Sequence, residues 1–126
     1  MSSVLTGLVQ TGDWKGEKHV PVIHCADKVK ADTVVDIKVS IGDAIPHPNT
    51  FEHHIEWIKV FYLPEGGKFP IEVADFNFTA HGEGEAFTSP VGFTQVKLQK
   101  SGKIIAISYC NIHGLWESSV PITVEG

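Results

Sequence analysis

The sequence predicts an all-β fold, a sandwich of seven strands forming a single domain over residues 1–126. Three features carry that expectation. Twelve glycines and seven prolines are spread along the chain rather than clustered, which is the composition of many short elements joined by tight turns. Apolar residues in the clearest segments alternate with polar ones at the period of a half-buried strand, not of a helix. At 126 residues and 42% hydrophobic content, the chain can close one core and stays within single-domain size.

The first candidate strand is 18–23 (KHVPVI), where Pro21 suits an edge because proline cannot donate to a sheet ladder. The strongest pattern is 33–41 (TVVDIKVSI): Thr33, Val35, Ile37, Val39 and Ile41 share one face, and Val34, Asp36, Lys38 and Ser40 the other. Gly42 and Asp43 then turn the chain. A proline-rich loop, IPHPNT, leads into an apolar run over 53–63 that closes on Pro64, Glu65, Gly66 and Gly67. Residues 69–78, 91–98, 103–110 and 120–124 supply the remaining strands at hairpin-like spacing. No internal repeat, low-complexity tract or linker divides the chain.

The formal net charge is -5 and all ten basic positions are lysine. That balance offers no arginine-rich patch for phosphate or base readout and excludes nucleic acid as a partner. No segment approaches the roughly 18 apolar residues of a membrane span, and the N-terminus has no basic flank leading into an apolar run. A soluble, cytoplasmic protein without membrane attachment is expected. Two cysteines, Cys25 and Cys110, are too few for a disulfide scaffold, so a thiolate is available for chemistry. Histidine is enriched, with seven at 19, 24, 47, 53, 54, 81 and 113.

The segment Tyr109-Cys110-Asn111-Ile112-His113-Gly114 follows a strand and sets a thiolate and an imidazole three residues apart on a turn ending in glycine. Both can reach one metal from there. His47 lies between Pro46 and Pro48, which hold its loop stiff and extended, as a ligand requires. His53 and His54 are adjacent at a strand start, so they point to opposite faces and one at most serves a given site. The face of His53 continues through Ile55, Trp57, Lys59 and Phe61, that of His54 through Glu56, Ile58 and Val60. The pattern does not separate them. Glu17, Lys18 and His19 sit together at the mouth of the first strand. His24 and His81 have no comparable context and read as structural or surface residues, and Cys25 as a buried free thiol.

Taken together, His19, His47, one of His53 or His54, Cys110 and His113 offer four imidazoles and one thiolate. Structural zinc is complete with four ligands. A blue-copper site wants two histidines, a cysteine and an axial methionine, and the single methionine here is Met1. Four nitrogens with one axial thiolate instead match the ligand field of a thiolate-bound haem, which suits one iron ion per chain and leaves a position open for a small molecule.

Three stretches then resemble a known family. Gly12-Asp13-Trp14-Lys15-Gly16-Glu17-Lys18-His19-Val20-Pro21, the loop Pro46-His47-Pro48-Asn49-Thr50 with Glu52-His53-His54, and Ser108-Tyr109-Cys110-Asn111-Ile112-His113-Gly114-Leu115-Trp116 are similar to the signatures of superoxide reductases of the one-iron neelaredoxin type. The resemblance covers nearly the whole chain. It implies an immunoglobulin-like, seven-stranded antiparallel β-sandwich, assembled as a homotetramer, with iron near the surface at one end. It also resolves the histidine pair in favour of His53, which joins His19, His47 and His113 in the equatorial plane with Cys110 axial. Glu17 matches the carboxylate that takes the sixth position of ferric iron, and Lys18 the lysine that assists superoxide. The four-cysteine iron domain of one subclass is expected to be absent, because the residues before Trp14 hold no cysteine. Electrons would come from rubredoxin or a similar donor.

On that resemblance, ferrous iron with four neutral imidazoles and a thiolate has a formal charge of about +1, which attracts the superoxide anion at short range. The unfavourable net charge of the protein is screened beyond a Debye length of about 8 Å. A cupredoxin-like electron carrier shares a sandwich and a late Cys-x-x-His loop but needs a copper ligand this sequence lacks. A non-catalytic immunoglobulin-like module leaves the histidines unexplained.

Overall fold

The structure, a computed structural model, describes residues 3–126. Eight strands form two sheets: β1 (Val22–His24), β2 (Lys28–Lys30), β3 (Val34–Ser40), β4 (Ile55–Pro64), β5 (Ile71–Asn77), β6 (Val91–Lys97), β7 (Gly102–Cys110) and β8 (Gly114–Glu125). The smaller sheet has the order β1-β3-β6 and the larger β2-β8-β7-β4-β5. The all-β sandwich expected from the pattern is what forms. It carries one strand beyond the seven expected: β2, three residues long, which pairs with β8 in parallel, whereas every other pairing between these strands is antiparallel. A three-residue KVK segment has too little length to show a period.

The two sheets share one core. Val35, Ile37, Val39 and Ile41 from the smaller sheet pack with Ile55, Ile58, Val60, Tyr62, Ile104, Ala106, Cys110 and Ile122 from the larger. In β3 the alternation's inner positions Val35, Ile37 and Val39 are buried, and so is Ser40 from the other face, while Thr33, expected inside, is exposed before the strand begins. Burial of each such aliphatic side chain contributes about 1.5–3 kcal/mol. Alternation along β7 buries Ile104, Ala106, Ser108 and Cys110 in turn, so the last core position of that strand is the thiol itself, fully buried.

Two boundaries differ from the sequence reading. The first strand begins at Val22 rather than Lys18, which leaves Glu17, Lys18 and His19 in a turn and Pro21 outside the ladder. The last strand begins at Gly114, six residues before Val120. Its outer edge is covered by the N-terminal segment: Gln10 N–H donates to the Leu115 carbonyl (3.0 Å), and Glu117 N–H to that of Gln10 (2.8 Å). Among the described residues no helix is long and apolar enough to cross a membrane.

Candidate metal centre

Three loops and one strand end meet at one end of the sandwich. The β7–β8 hairpin pairs Cys110 with Gly114 across a loop of Asn111, Ile112 and His113. Gly114 adopts φ 80°, the left-handed conformation that closes a three-residue hairpin loop and that glycine takes without strain. That turn carries His113 back over Cys110: Nδ1 of His113 lies 3.8 Å from Sγ, and the His113 N–H donates to the same sulfur at 3.4 Å.

The imidazoles of His19, His47, His53 and His113 form a closed square. Ring centroids along its sides are 4.8 Å for His19 and His47, 4.6 Å for His47 and His53, 5.0 Å for His53 and His113, and 4.7 Å for His113 and His19. The diagonal from His19 to His53 is 6.4 Å. Neighbouring rings are steeply inclined, at 58–76°, so their nitrogens converge rather than the rings stacking. The thiol of Cys110 closes one side of the square, with Sγ 3.6 Å from Nε2 of His47.

Each ring is held from outside. Nδ1 of His19 donates to the Glu17 carboxylate at 2.7 Å, and the same oxygen accepts the His19 backbone N–H at 3.1 Å. Nδ1 of His47 donates to the Pro48 carbonyl at 2.6 Å. Both contacts spend the Nδ1 proton outward and turn an Nε2 lone pair inward, the arrangement that orients metal-binding histidines. Trp116 stacks on the His19 ring at 4.8 Å and donates from Nε1 to the His113 carbonyl at 3.2 Å. Asn111 donates to the Glu52 carbonyl (2.9 Å) and accepts the His54 N–H (2.9 Å), tying the Cys110 loop to the segment that carries His53. Trp116 and Asn111 lie inside the recognised sequence stretches, but their supporting roles depend on tertiary contacts that spacing does not reveal.

The donor set fits a metal. Nε2 of His53 is buried with no hydrogen-bond partner, a cost a protein does not bear without compensation, and it faces the other donors: the inward atoms of His19, His47, His53 and Cys110 lie within 4.8 Å of one another. His19 Nε2 is also 3.1 Å from Nδ1 of His113. Four imidazoles and a thiolate are the ligand types that suit iron.

The structure therefore brings together His19, His47, His53, Cys110 and His113. It places Glu17 on the outer nitrogen of His19, and Lys18 in the same turn, where its positive charge helps depress the basicity of His47 and His53. His54 faces away from the centre and bonds Thr50 and Glu56. Cys25 is free and half-buried, rather than fully buried as the sequence suggested, and burial pushes its thiol up.

Burial holds His47 down to about 4, against the opposing bond to Pro48; burial and the neighbouring His113, His19 and Lys18 lower His53 as well. Both rings keep their lone pairs at neutral pH. In the metal-free protein these lowered values make the unfolded chain take up protons first as pH falls below about 6.5. The stability they contribute is present above that pH and is lost on the way down towards pH 4. His54 acts in the opposite sense: burial alone would lower it, but the bonds to Glu56 and Thr50 prevail and raise it, so its contribution is lost only as pH rises through its folded value. The thermal midpoint of metal-free protein should accordingly fall between pH 6.5 and 4; a flat or rising profile contradicts this account.

The sequence profile of the desulfoferrodoxin family matches residues 11–119. Neelaredoxin of Megalodesulfovibrio gigas is 49% identical over 125 residues, spanning 94% of this chain and 96% of that protein. Superoxide reductase of Pyrococcus furiosus is 45% identical over 126 residues, spanning 94% and 99%. A crystal structure from Thermotoga maritima, provisionally named a superoxide reductase, superposes with a TM-score of 0.95 at 53% identity and covers 99% of this chain and all of that one.

Proposed function

This chain belongs to the desulfoferrodoxin family, and on that premise we propose that it is a superoxide reductase whose mononuclear iron is held by His19, His47, His53 and His113 around Cys110. The observation that carries the proposal is the square of four imidazoles closed on one side by a buried thiol. Superoxide takes up one electron and two protons and leaves as hydrogen peroxide. Iron bound by this set supplies the electron.

The chain's own residues do the rest. Glu17 and Pro48 fix the tautomers of His19 and His47, so both rings present a lone pair without rearrangement. The His113 N–H on Sγ restrains the charge that sulfur donates. His113 and Ile112 are exposed, which leaves the centre near the surface and within reach of a small anion and a protein donor. We assign Glu17 as the carboxylate that would join His19, His47, His53, His113 and Cys110 in holding ferric iron; its carboxyl is held below its ordinary range chiefly by the bond from His19, which it would give up to do so.

One iron ion per chain, rubredoxin or a similar small redox protein as donor, a homotetramer, a single domain and a cytoplasmic location complete the reading. The donor and the homotetramer rest on the family resemblance, the single iron on the donor set as well, and the single domain and location on chain length and composition. Adding superoxide to the reduced protein while following iron oxidation and peroxide together tests the core of it. One peroxide per iron oxidised is expected; copper in place of iron, with no peroxide, overturns it in favour of an electron carrier.

Lys18 gives a second test. An ammonium about 6 Å from the incoming anion, in an effective dielectric of roughly 40, attracts it by about 1.4 kcal/mol, or tenfold in encounter rate. Lys18→Met should lower the bimolecular rate by about that factor and flatten its fall with ionic strength, with iron content unchanged. Identical rates and salt slopes would make Lys18 an ordinary solvated side chain. For Glu17→Ala, iron should bind about 10–100-fold more weakly because His19 loses its outer partner, while the rate of superoxide attack per bound iron should hold and the ferric spectrum and its response to small anions change. A large loss of rate would show the carboxylate acting before or during attack.

A further inference from the structure

A second cluster lies beside the iron centre and shares no side chain with it. His54 and His81 are both buried, and their rings are stacked, with centroids 3.4 Å apart and planes 8° from parallel. Nδ1 of His54 donates to the Thr50 carbonyl at 2.8 Å, and its Nε2 lies 2.7 Å from Oε1 of Glu56. Both ring nitrogens thus face oxygens that can only accept, so the ring satisfies them either as an imidazolium or with a cation in place of its second proton between Nε2 and Oε1. His81 is the stronger clue. Both of its ring nitrogens are buried with no partner at all, which leaves a donor and an acceptor unpaid in a protein interior where such groups are normally matched by protein, water or an ion.

We propose that His54, Glu56 and His81 form a site for a divalent transition-metal ion of the zinc type, separate from the redox iron. One ligand atom from each residue already falls within 4.8 Å of the other two. Two imidazole nitrogens with one carboxylate oxygen form a donor set that zinc accepts, whereas calcium and magnesium prefer oxygen alone. Ligand atoms bound about 2.0–2.1 Å from a tetrahedral ion lie roughly 3.3 Å apart. Glu56 must therefore draw back by a few tenths of an ångström, which its 40% exposed side chain permits, and His81 must slide off the parallel stack. The outward bond from His54 to Thr50 is the kind that orients a ligating imidazole. The carboxylate of Glu83, which accepts the His81 N–H at 2.9 Å, adds negative charge alongside. With three protein ligands, water completes the shell through the exposed side of Glu56.

Bound there, the ion would staple the start of β4 to the segment after β5. It would also act on the iron centre through the backbone. His54 exchanges hydrogen bonds with Asn111 through its N–H (2.9 Å) and its carbonyl (3.2 Å), so a fixed His54 holds the segment bearing His53 in register with the loop bearing Cys110 and His113.

The experiment uses iron-loaded protein, with iron and zinc counted separately. Zinc titrated by calorimetry should bind at one ion per chain beyond the iron, in the micromolar range or tighter. His81→Ala and Glu56→Gln should each weaken it by at least about 100-fold, the upper end of what loss of even an outer-shell partner costs, without changing iron content. Glu56→Gln is a half-exposed isosteric change and carries the test alone if His81→Ala fails to fold. Cobalt in place of zinc should give ligand-field bands without thiolate-to-cobalt charge transfer. Absence of zinc binding, binding that Glu56→Gln retains, or a cobalt–thiolate band each overturn the proposal. None of these outcomes depends on the reductase assay.

Discussion

Replacing Cys110 by serine should abolish the sulfur-to-iron charge-transfer absorption of the oxidised protein and most of its superoxide-reducing activity. The argument begins in the core pattern of β7. Because Ile104, Ala106, Ser108 and Cys110 occupy successive inward positions, the sulfur is delivered to the base of the imidazole square with no exposure to solvent, and no neighbouring sulfur can replace it: the other cysteine, Cys25, is half-buried near the end of β1. Serine presents a shorter side chain whose hydroxyl is neutral at physiological pH. It supplies neither the negative charge nor the polarisable donor that the ligand field requires. Losing an outer-shell partner of a metal site costs about 10–100-fold, and losing this sulfur should exceed that in activity. Cys25→Ser should leave both spectrum and rate intact. Absorption spectra and superoxide kinetics on the two variants decide the matter: if Cys110→Ser keeps the band and the rate, sulfur is not a ligand.

What the sequence made legible was whatever local pattern controls. The alternation of β3 predicted its inner face, and the spacing Cys110-x-x-His113 with Gly114 predicted a turn on which an imidazole and a thiolate can reach one metal. The proline-flanked His47 read as a stiffly held ring, and it is one. Contacts between distant segments were not legible. The parallel pairing that defines β2 is made with residues about ninety-five positions away, and β8 begins inside a stretch that the sequence presents as part of the site. His81 read as structural or surface because its significance lies in its stacking on His54 and in its unpartnered nitrogens, and neither is visible along one segment. The bond from His19 Nδ1 to the Glu17 carboxylate was likewise not legible, because residue order alone does not say which nearby donor a carboxylate accepts from.

The histidine pair shows the limit most clearly and gives the sharpest test. Counting by twos from His53 leads through Ile55 to Trp57 and Lys59, which are only half-buried, while His54 leads to the buried Ile58 and Val60. Parity alone would thus have set His54 on the inner face. The ladder shows otherwise: Ile55 pairs with Cys110 and Trp57 with Tyr109, so an extra residue, Glu56, bulges between them. A bulge re-aims the side chains that precede it. Ile55 joins Ile58 in the core despite their spacing of three, His53 turns its Nε2 to the other donors, and His54 turns outward to Thr50 and Glu56. His53→Ala should therefore remove one corner of the square and, with it, most of the bound iron or its activity, an effect again beyond the roughly 100-fold of an outer-shell loss. His54→Ala should retain iron and most of the rate, while losing about 1–3 kcal/mol of stability for the buried partners left unpaired. Iron content, superoxide kinetics and thermal midpoints on the two variants separate the residues. If His54→Ala empties the iron centre and His53→Ala does not, the bulge at Glu56 has been placed on the wrong side of the pair.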